Sequence, residues 1–450
     1  MMYSKLKALL AVVLALCVVT TPVAALPGGD STDIPEPSIS ESVVDGVPQP
    51  TFIVEYDQSD ADSLQTWADG DTNRRLLSLD NSSGQAVVAA PSWQTTGISL
   101  FDAVTSGLSV FTYADRAMQD PLAARSYVES VRPNWVLSRT TPVERLSNAS
   151  DVEAPSLGFS DSILNPGAEY DTSGIAYSSD ASASTMREAR DVLGVDNVTA
   201  NAEGEVVAVV DTGVCTANGR LFQDRLLNAS KNMRTNETIE RNGTDVVCGS
   251  NHHGTWVASS IAANASDDTH DGVAPNASVL AIKALADDGS GSMADIAEGI
   301  RYAADEGADV ISLSLGSQYY ADTLADAVRY ARSEGAVVVV AAGNSAQRRP
   351  VGVASPADVE GAIAVAATTA QPAGNASAAY FSQRSGQTAA DGSLDGTDEV
   401  DIAAPGMQTT ALIATESGRL DELTLSGTSM ATPMVSGIVL LEQAANPSAS

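Results

Sequence analysis

From Glu205 onward, short apolar runs alternate with longer amphipathic ones, and this alternation restricts the fold more than any other feature of the chain. Strands are expected at 206–210, 278–284, 310–315, 336–342 and 362–366, and helices at 253–263, 293–306, 321–334 and 429–445. A strand whose successive side chains are all apolar offers no face to water, so both faces of its sheet must be covered. Amphipathic helices between such strands supply the cover. The expected architecture is therefore α/β and doubly wound, with a mainly parallel sheet and helices on both faces. In such sheets, ligands sit beyond the carboxyl ends of the strands. Asp211 ends one strand, Asn344 follows another, and His253 and Ser429 open helices that can converge on that edge.

Ser429 lies in Leu425-Ser426-Gly427-Thr428-Ser429-Met430-Ala431-Thr432-Pro433, a turn opening onto a mostly apolar helix. Gly427 permits a tight backbone, and Thr428 and Ser429 favour helix starts. A hydroxyl there stands at the positive end of a helix, among unpaired N–H groups. That suits a nucleophile, and it equally suits an ordinary helix cap. A nucleophilic serine needs a base, and the base needs an orienting carboxylate. The chain has 3 histidines, His252, His253 and His270, and the first two precede Gly254-Thr255 at a helix start. Asp211 follows the apolar run Val206-Val207-Ala208-Val209-Val210.

The motifs VVDTG, HGT-x-VA and GTSMATP, in that order, resemble those of the subtilases, the subtilisin-like serine peptidases. The resemblance implies a serine endopeptidase that hydrolyses polypeptides through Asp211, His253 and Ser429. His253 is the base because it directly precedes Gly254-Thr255. Asn344, in Ala341-Ala342-Gly343-Asn344, matches the oxyanion donor. Ser314, Leu315 and Gly316 match the segment that pairs with substrate backbone, and Gly289, Ser290 and Gly291 match the strand facing it. A peptide would bind between them as an added strand. No cofactor is implied for catalysis. Structural calcium is one reading of Asp267, Asp268 and Asp271, and solvated aspartates are the other. A catalytically silent binding or scaffold protein is the second function class. Such a relative would have lost one of Asp211, His253, Asn344 or Ser429, and all four are present.

The chain departs from the family pattern in places. Trp256 stands where subtilases have a second histidine. The insert between Asp211 and His253 carries Cys215 and Cys248, the cysteines left once Cys17 is removed with the leader. Two cysteines in a secreted chain usually pair, and here a bond would tie the Asp loop to the His loop. A metal site built with the two histidines is the alternative. Subtilases continue through another helix and strand, so the resemblance implies either a shortened sequence or an early end at Ser450.

Residues 1–25 read as a secretory signal peptide: Lys5 and Lys7, an apolar stretch from Leu9 to Val19, then Val23-Ala24-Ala25. No later segment is long and apolar enough to span a bilayer. Residues 26–165 read as a linker and a small α+β unit, with a strand at 51–56, helices near 61–68 and 121–130, and a strand at 135–137. Its position is that of a subtilase propeptide, an intramolecular inhibitor. Residues 166–450 then form the peptidase domain, with the junction expected between 148 and 184. The expected location is extracellular.

The formal net charge is −33. Such a charge argues against nucleic-acid binding, which needs basic surface. Lysine occurs only at Lys5, Lys7, Lys231 and Lys283. A lysine-poor acidic surface fits work in concentrated salt, where self-repulsion is screened. A merely acidic secreted protein is the plainer alternative.

Overall fold

The expected strands appear in the computed structural model of the chain, hydrogen-bonded side by side. The structure describes residues 39–44, 46–81, 83–95, 121–139, 175–176, 182–217, 221–239, 244–265, 269–317, 322–346, 352–372, 374–384 and 400–447. The expected signal peptide at 1–25 lies outside these residues, as does nearly all of the expected junction.

The N-terminal strands are β1 (Glu41–Val44), β2 (Val47–Tyr56), β3 (Arg75–Asp80), β4 (Gln85–Ala89), β5 (Val128–Pro133) and β6 (Val136–Arg139). The central sheet is formed by β7 (Val206–Asp211), β8 (Ser278–Lys283), β10 (Val310–Leu313), β12 (Val337–Ala341), β13 (Ile363–Thr368) and β14 (Ile402–Pro405), all parallel to their neighbours. Their order is β8-β7-β10-β12-β13-β14. Two short strands, β9 (Ser290–Ser292) and β11 (Leu315–Gly316), pair with β6 in a separate sheet. A hairpin of β15 (Thr409–Ala414) and β16 (Leu420–Leu425) follows. The main helices are α1 (Ala61–Asp69), α2 (Met186–Leu193), α3 (His253–Ala262), α4 (Met293–Asp305), α5 (Asp322–Ser333) and α6 (Thr428–Ala445).

The apolar run of β7 divides between two cores, because successive strand side chains point to opposite faces. Val207 and Val209 join Trp256, Ile261 and Met430 under α3 and α6. Ala208 and Val210 join Ile282, Ile300 and Val328 under α4 and α5. Both faces are covered, as the unbroken apolar strands required.

The N-terminal unit is a small sheet with β2 paired to β1, β4 and β5, and α1 packed on one face through Leu64 and Trp67. From the other face, Ile53 enters the core beneath α4. The expected helix at 121–130 is absent. One 3-10 turn at Leu122–Ala124 gives way to β5. Backbone pairing with β2 overrides a weak helical pattern there. The Ser130 hydroxyl and the Arg132 guanidinium both donate to Glu55 of β2, at 2.6 and 3.1 Å. The expected strand at 135–137 is β6, one residue later.

Candidate active site

Asp211 is fully buried at the carboxyl end of β7. The Thr212 amide donates to its Oδ1 at 2.6 Å. His253 opens α3, and its backbone N–H donates to the Asn251 side-chain oxygen at 3.0 Å. Gly254 lets the helix start approach β7. A Cβ at 254 would lie 2.4 Å from the Gly213 carbonyl and 3.1 Å from the Asp211 Cβ. The approach places His253 Nδ1 at 2.8 and 3.0 Å from the two Asp211 carboxylate oxygens. A carboxylate only accepts, so Nδ1 carries a proton, and in the neutral ring the lone pair is then at Nε2. His253 Nε2 is buried and has no hydrogen-bond partner. His252 makes neither of these bonds to Asp211.

Ser429 sits in the first turn of α6. Pro433 lies inside that helix. It lacks the N–H that would bond the carbonyl four residues back, which is that of Ser429. Ser314 Oγ donates to this carbonyl instead, at 3.0 Å. In return the Ser429 hydroxyl donates to the Ser314 carbonyl at 3.2 Å. Ser429 is thus joined to the expected substrate segment rather than to His253. The helices that carry the two residues pack in one core.

Asn344 is held by the same helix start. Its Oδ1 accepts from the Thr428 amide at 2.8 Å and from the Thr428 hydroxyl at 2.9 Å. The Thr428 hydroxyl also accepts from Gly343 N–H at 3.2 Å. With the oxygen so occupied, the amide nitrogen is the donor that Asn344 turns the other way.

The expected cleft segments face each other across β6. Leu137 pairs with Gly291, Ser138 with both Ser290 and Gly316, and Arg139 with Leu315, all antiparallel. Leu137 is buried beside Leu285, Met293, Ile296 and Leu315. The preceding residues cap α4: the Trp135 carbonyl accepts from Met293 N–H at 2.8 Å, and Asn134 Oδ1 accepts from Ala294 N–H at 3.0 Å. Helix N–H groups of a first turn have no partner within the helix, so this contact is specific to that helix end.

Cys215 and Cys248 form a disulfide. The metal-site alternative is overturned, since neither sulfur is a free thiolate. For calcium, Asp267 and Asp268 lie outside the described residues, and Asp271 Oδ1 accepts from Ala265 N–H at 2.7 Å. Among the described residues no group of three acidic, histidine or cysteine side chains could hold a metal, and none of their helices is long and apolar enough to cross a membrane.

The sequence reading missed Lys283, which ends β8 beside Asp211. Its signal was visible: a lysine closing an apolar strand in a chain that almost lacks lysine. Trp256 also has a role that its apolar character hides. Its Nε1 donates to the Leu423 carbonyl at 2.8 Å, tying α3 to the β15–β16 hairpin.

The subtilase (peptidase S8) family model matches residues 202–450. The chain belongs to the subtilase family. Among curated subtilases it is 37% identical over 252 residues to thermitase of Thermoactinomyces vulgaris, covering 56% of this chain and 79% of thermitase. It is likewise 37% identical over 246 residues to a thermophilic serine proteinase of Bacillus sp. (strain AK1), covering 54% of this chain. It spans 53% of that proteinase's length. Fervidolysin from Fervidobacterium pennivorans shares the fold, with a TM-score of 0.61 at 23% identity over 91% of this chain and 56% of fervidolysin. Sphericase aligns with a TM-score of 0.50 at 34% identity, over 59% of this chain and 87% of sphericase.

Proposed function

We propose that this subtilase is a secreted serine endopeptidase made as a self-processing zymogen, with residues 39–139 as its inhibitory unit. The observation that carries the reading is β6. It lies between β9 and β11 as a third antiparallel strand, in the place a polypeptide substrate would take. Leu315 pairs with the end of that strand and directly follows Ser314, whose carbonyl holds the Ser429 hydroxyl. The bond cut during maturation then lies beyond Arg139, and the peptidase domain follows. Residues 1–25 direct export, which fits the disulfide.

In the proposed reaction the Ser429 hydroxyl leaves the Ser314 carbonyl and turns to His253. As Ser429 Oγ bonds to the substrate carbonyl carbon, Nε2 takes the hydroxyl proton. Asp211, held by Nδ1–H, keeps the ring oriented and stabilises its cationic form. The carbonyl oxygen gains the negative charge and is met by Asn344 Nδ2 and the Ser429 N–H. Nε2 then gives the proton to the leaving amine, and an acyl-enzyme remains. Water then attacks the acyl carbon as the same nitrogen takes its proton, the bond from that carbon to Ser429 Oγ breaks, and Oγ takes the proton back as the acid leaves. These steps need no cofactor.

The test is Ser429→Ala. It is expected to abolish peptide hydrolysis and leave the precursor uncut, while the unmutated protein is labelled covalently by a fluorophosphonate. A protein that matures but takes no label would instead be the silent binding protein.

A further inference from the structure

We propose that Lys283 is a positioning residue of the Asp211–His253 pair, acting through a brace that joins the Asp loop, the His loop and the substrate strand. The proposal rests on the peptidase reading of the same site.

Lys283 stands opposite Asp211 in the β7–β8 register, and the next two amides, Ala284 and Leu285, both donate to the Asp211 carbonyl at 3.1 Å. Its side chain is 8% exposed. The ammonium donates to the Thr212 carbonyl and, at 2.7 Å, to Asp287 Oδ1. Thr212 is the residue whose amide holds the Asp211 carboxylate and whose hydroxyl accepts from Gly254 N–H at 3.1 Å. Fixing the Thr212 carbonyl therefore fixes the loop that sets both partners.

Asp287 extends the brace to the His loop. Its Oδ2 accepts from the Ser250 hydroxyl at 3.0 Å and from the Ser250 amide at 3.3 Å. Its carbonyl accepts from Asn251 Nδ2 at 2.8 Å, and the other end of that amide holds the His253 N–H. The Lys283 ammonium, bonded to the Asp287 carboxyl, is the leading cause holding it below the usual carboxylate range. Two residues on, the chain enters β9 through Gly289.

Two glycines close over the ammonium. A Cβ at Gly249 would lie 2.3 Å from Asp287 Oδ1 and 2.8 Å from Lys283 Nζ, and one at Gly213 would lie 3.1 Å from Lys283 Cδ. No larger cation fits without moving a loop, so arginine is not a substitute. The mechanism requires nothing chemical of this lysine; it is buried where a charge is costly unless paired. A small displacement of a catalytic pair can cost much of the rate, which gives such a residue an effect on turnover.

The test uses the full chain, matured and assayed in concentrated salt, with Lys283→Met, Lys283→Arg, Asp287→Asn and the double variant Lys283→Met/Asp287→Asn. Active sites are counted with a fluorophosphonate, so turnover is read per competent site. Lys283→Met is expected to lower kcat per labelled site about tenfold or more with KM little changed. Lys283→Arg is expected to fail to restore it, and Asp287→Asn to lower kcat less. The double variant should match Lys283→Met alone, since both substitutions break one brace. Fewer labelled sites with an unchanged kcat per site would mean that Lys283 only supports folding, and would overturn the proposal. If Lys283→Met yields no folded protein, Asp287→Asn decides: an unchanged kcat per site overturns it equally. Absence of labelling in the unmutated protein would refute the peptidase reading itself, a distinguishable result.

Discussion

At the scale of residues, the pair His252-His253 gives the sharpest contrast. They are neighbours in sequence, yet only His253 faces Asp211. His253→Ala should lose activity by several orders of magnitude, as removal of a triad member does. His252→Ala should be far milder, and the two are compared by kcat/KM on a peptide substrate. The reverse ranking would place the base on the wrong residue. The contact between Asp211 and His253 was legible in the sequence, as a strand end and a helix start that can meet on one edge of the sheet. What was not legible is the hydrogen bonding that holds them. That Ser314 would take the carbonyl orphaned by Pro433 depends on two segments far apart in the chain. The role of Lys283 depends on three loops meeting, which no local pattern encodes.

At the scale of elements, sequence reading succeeded where one physical signal dominated. Helices α3 to α6 begin within one residue of their expected positions because strong apolar periodicity marks them. It failed at 121–130, where the chain is half-polar and pairing with β2 decides the outcome. The β15–β16 hairpin went unread because β16, Leu420-Asp421-Glu422-Leu423-Thr424-Leu425, is half polar with no regular alternation and is held by its partner strand. Two predictions belong here. The disulfide closes a segment with a sequence separation of 33. In the chain-entropy model such a loop is worth about 3–4 kcal/mol, so Cys215→Ser should lower the melting temperature by several degrees. Free thiols at both positions in a non-reducing peptide map would count against the bond. The second prediction concerns α4. Partial desolvation, the largest cause, raises the pKa of Glu298 although its side chain still reaches solvent, and Asp295 and Asp80 raise it further. Glu298 lines a cavity of about 340 Å³ shared with β3 and β4. A carboxyl with a raised pKa costs the fold nothing while protonated in both states, and stability is lost as pH climbs through the raised value. The uncut Ser429→Ala precursor should therefore lose stability over that rise, and the Ser429→Ala/Glu298→Gln precursor should lose less. Melting curves from about pH 4 to about pH 8 test this, and parallel slopes would refute it.

At the scale of the whole molecule, the prediction concerns charge. With a net charge of −33, surface carboxylates repel across roughly 30 Å at about 0.01 M salt and across roughly 3 Å at about 1 M. Salt should raise the melting temperature steeply and then level off, with peptidase activity following the folded fraction. Equal stability from low to multimolar sodium chloride would dismiss salt adaptation and leave the peptidase assignment untouched. The clasped strand β6 has a further consequence. On the zymogen reading proposed above, that strand would compete for the groove from the same molecule while the chain is whole, at an effective concentration that reaches millimolar for short connections. Cutting beyond Arg139 removes the tether but none of the strand's backbone pairs. Relief from inhibition would then be a matter of dilution: a crowded preparation would stay silent long after the cut, and the same sample spread into a large volume would wake.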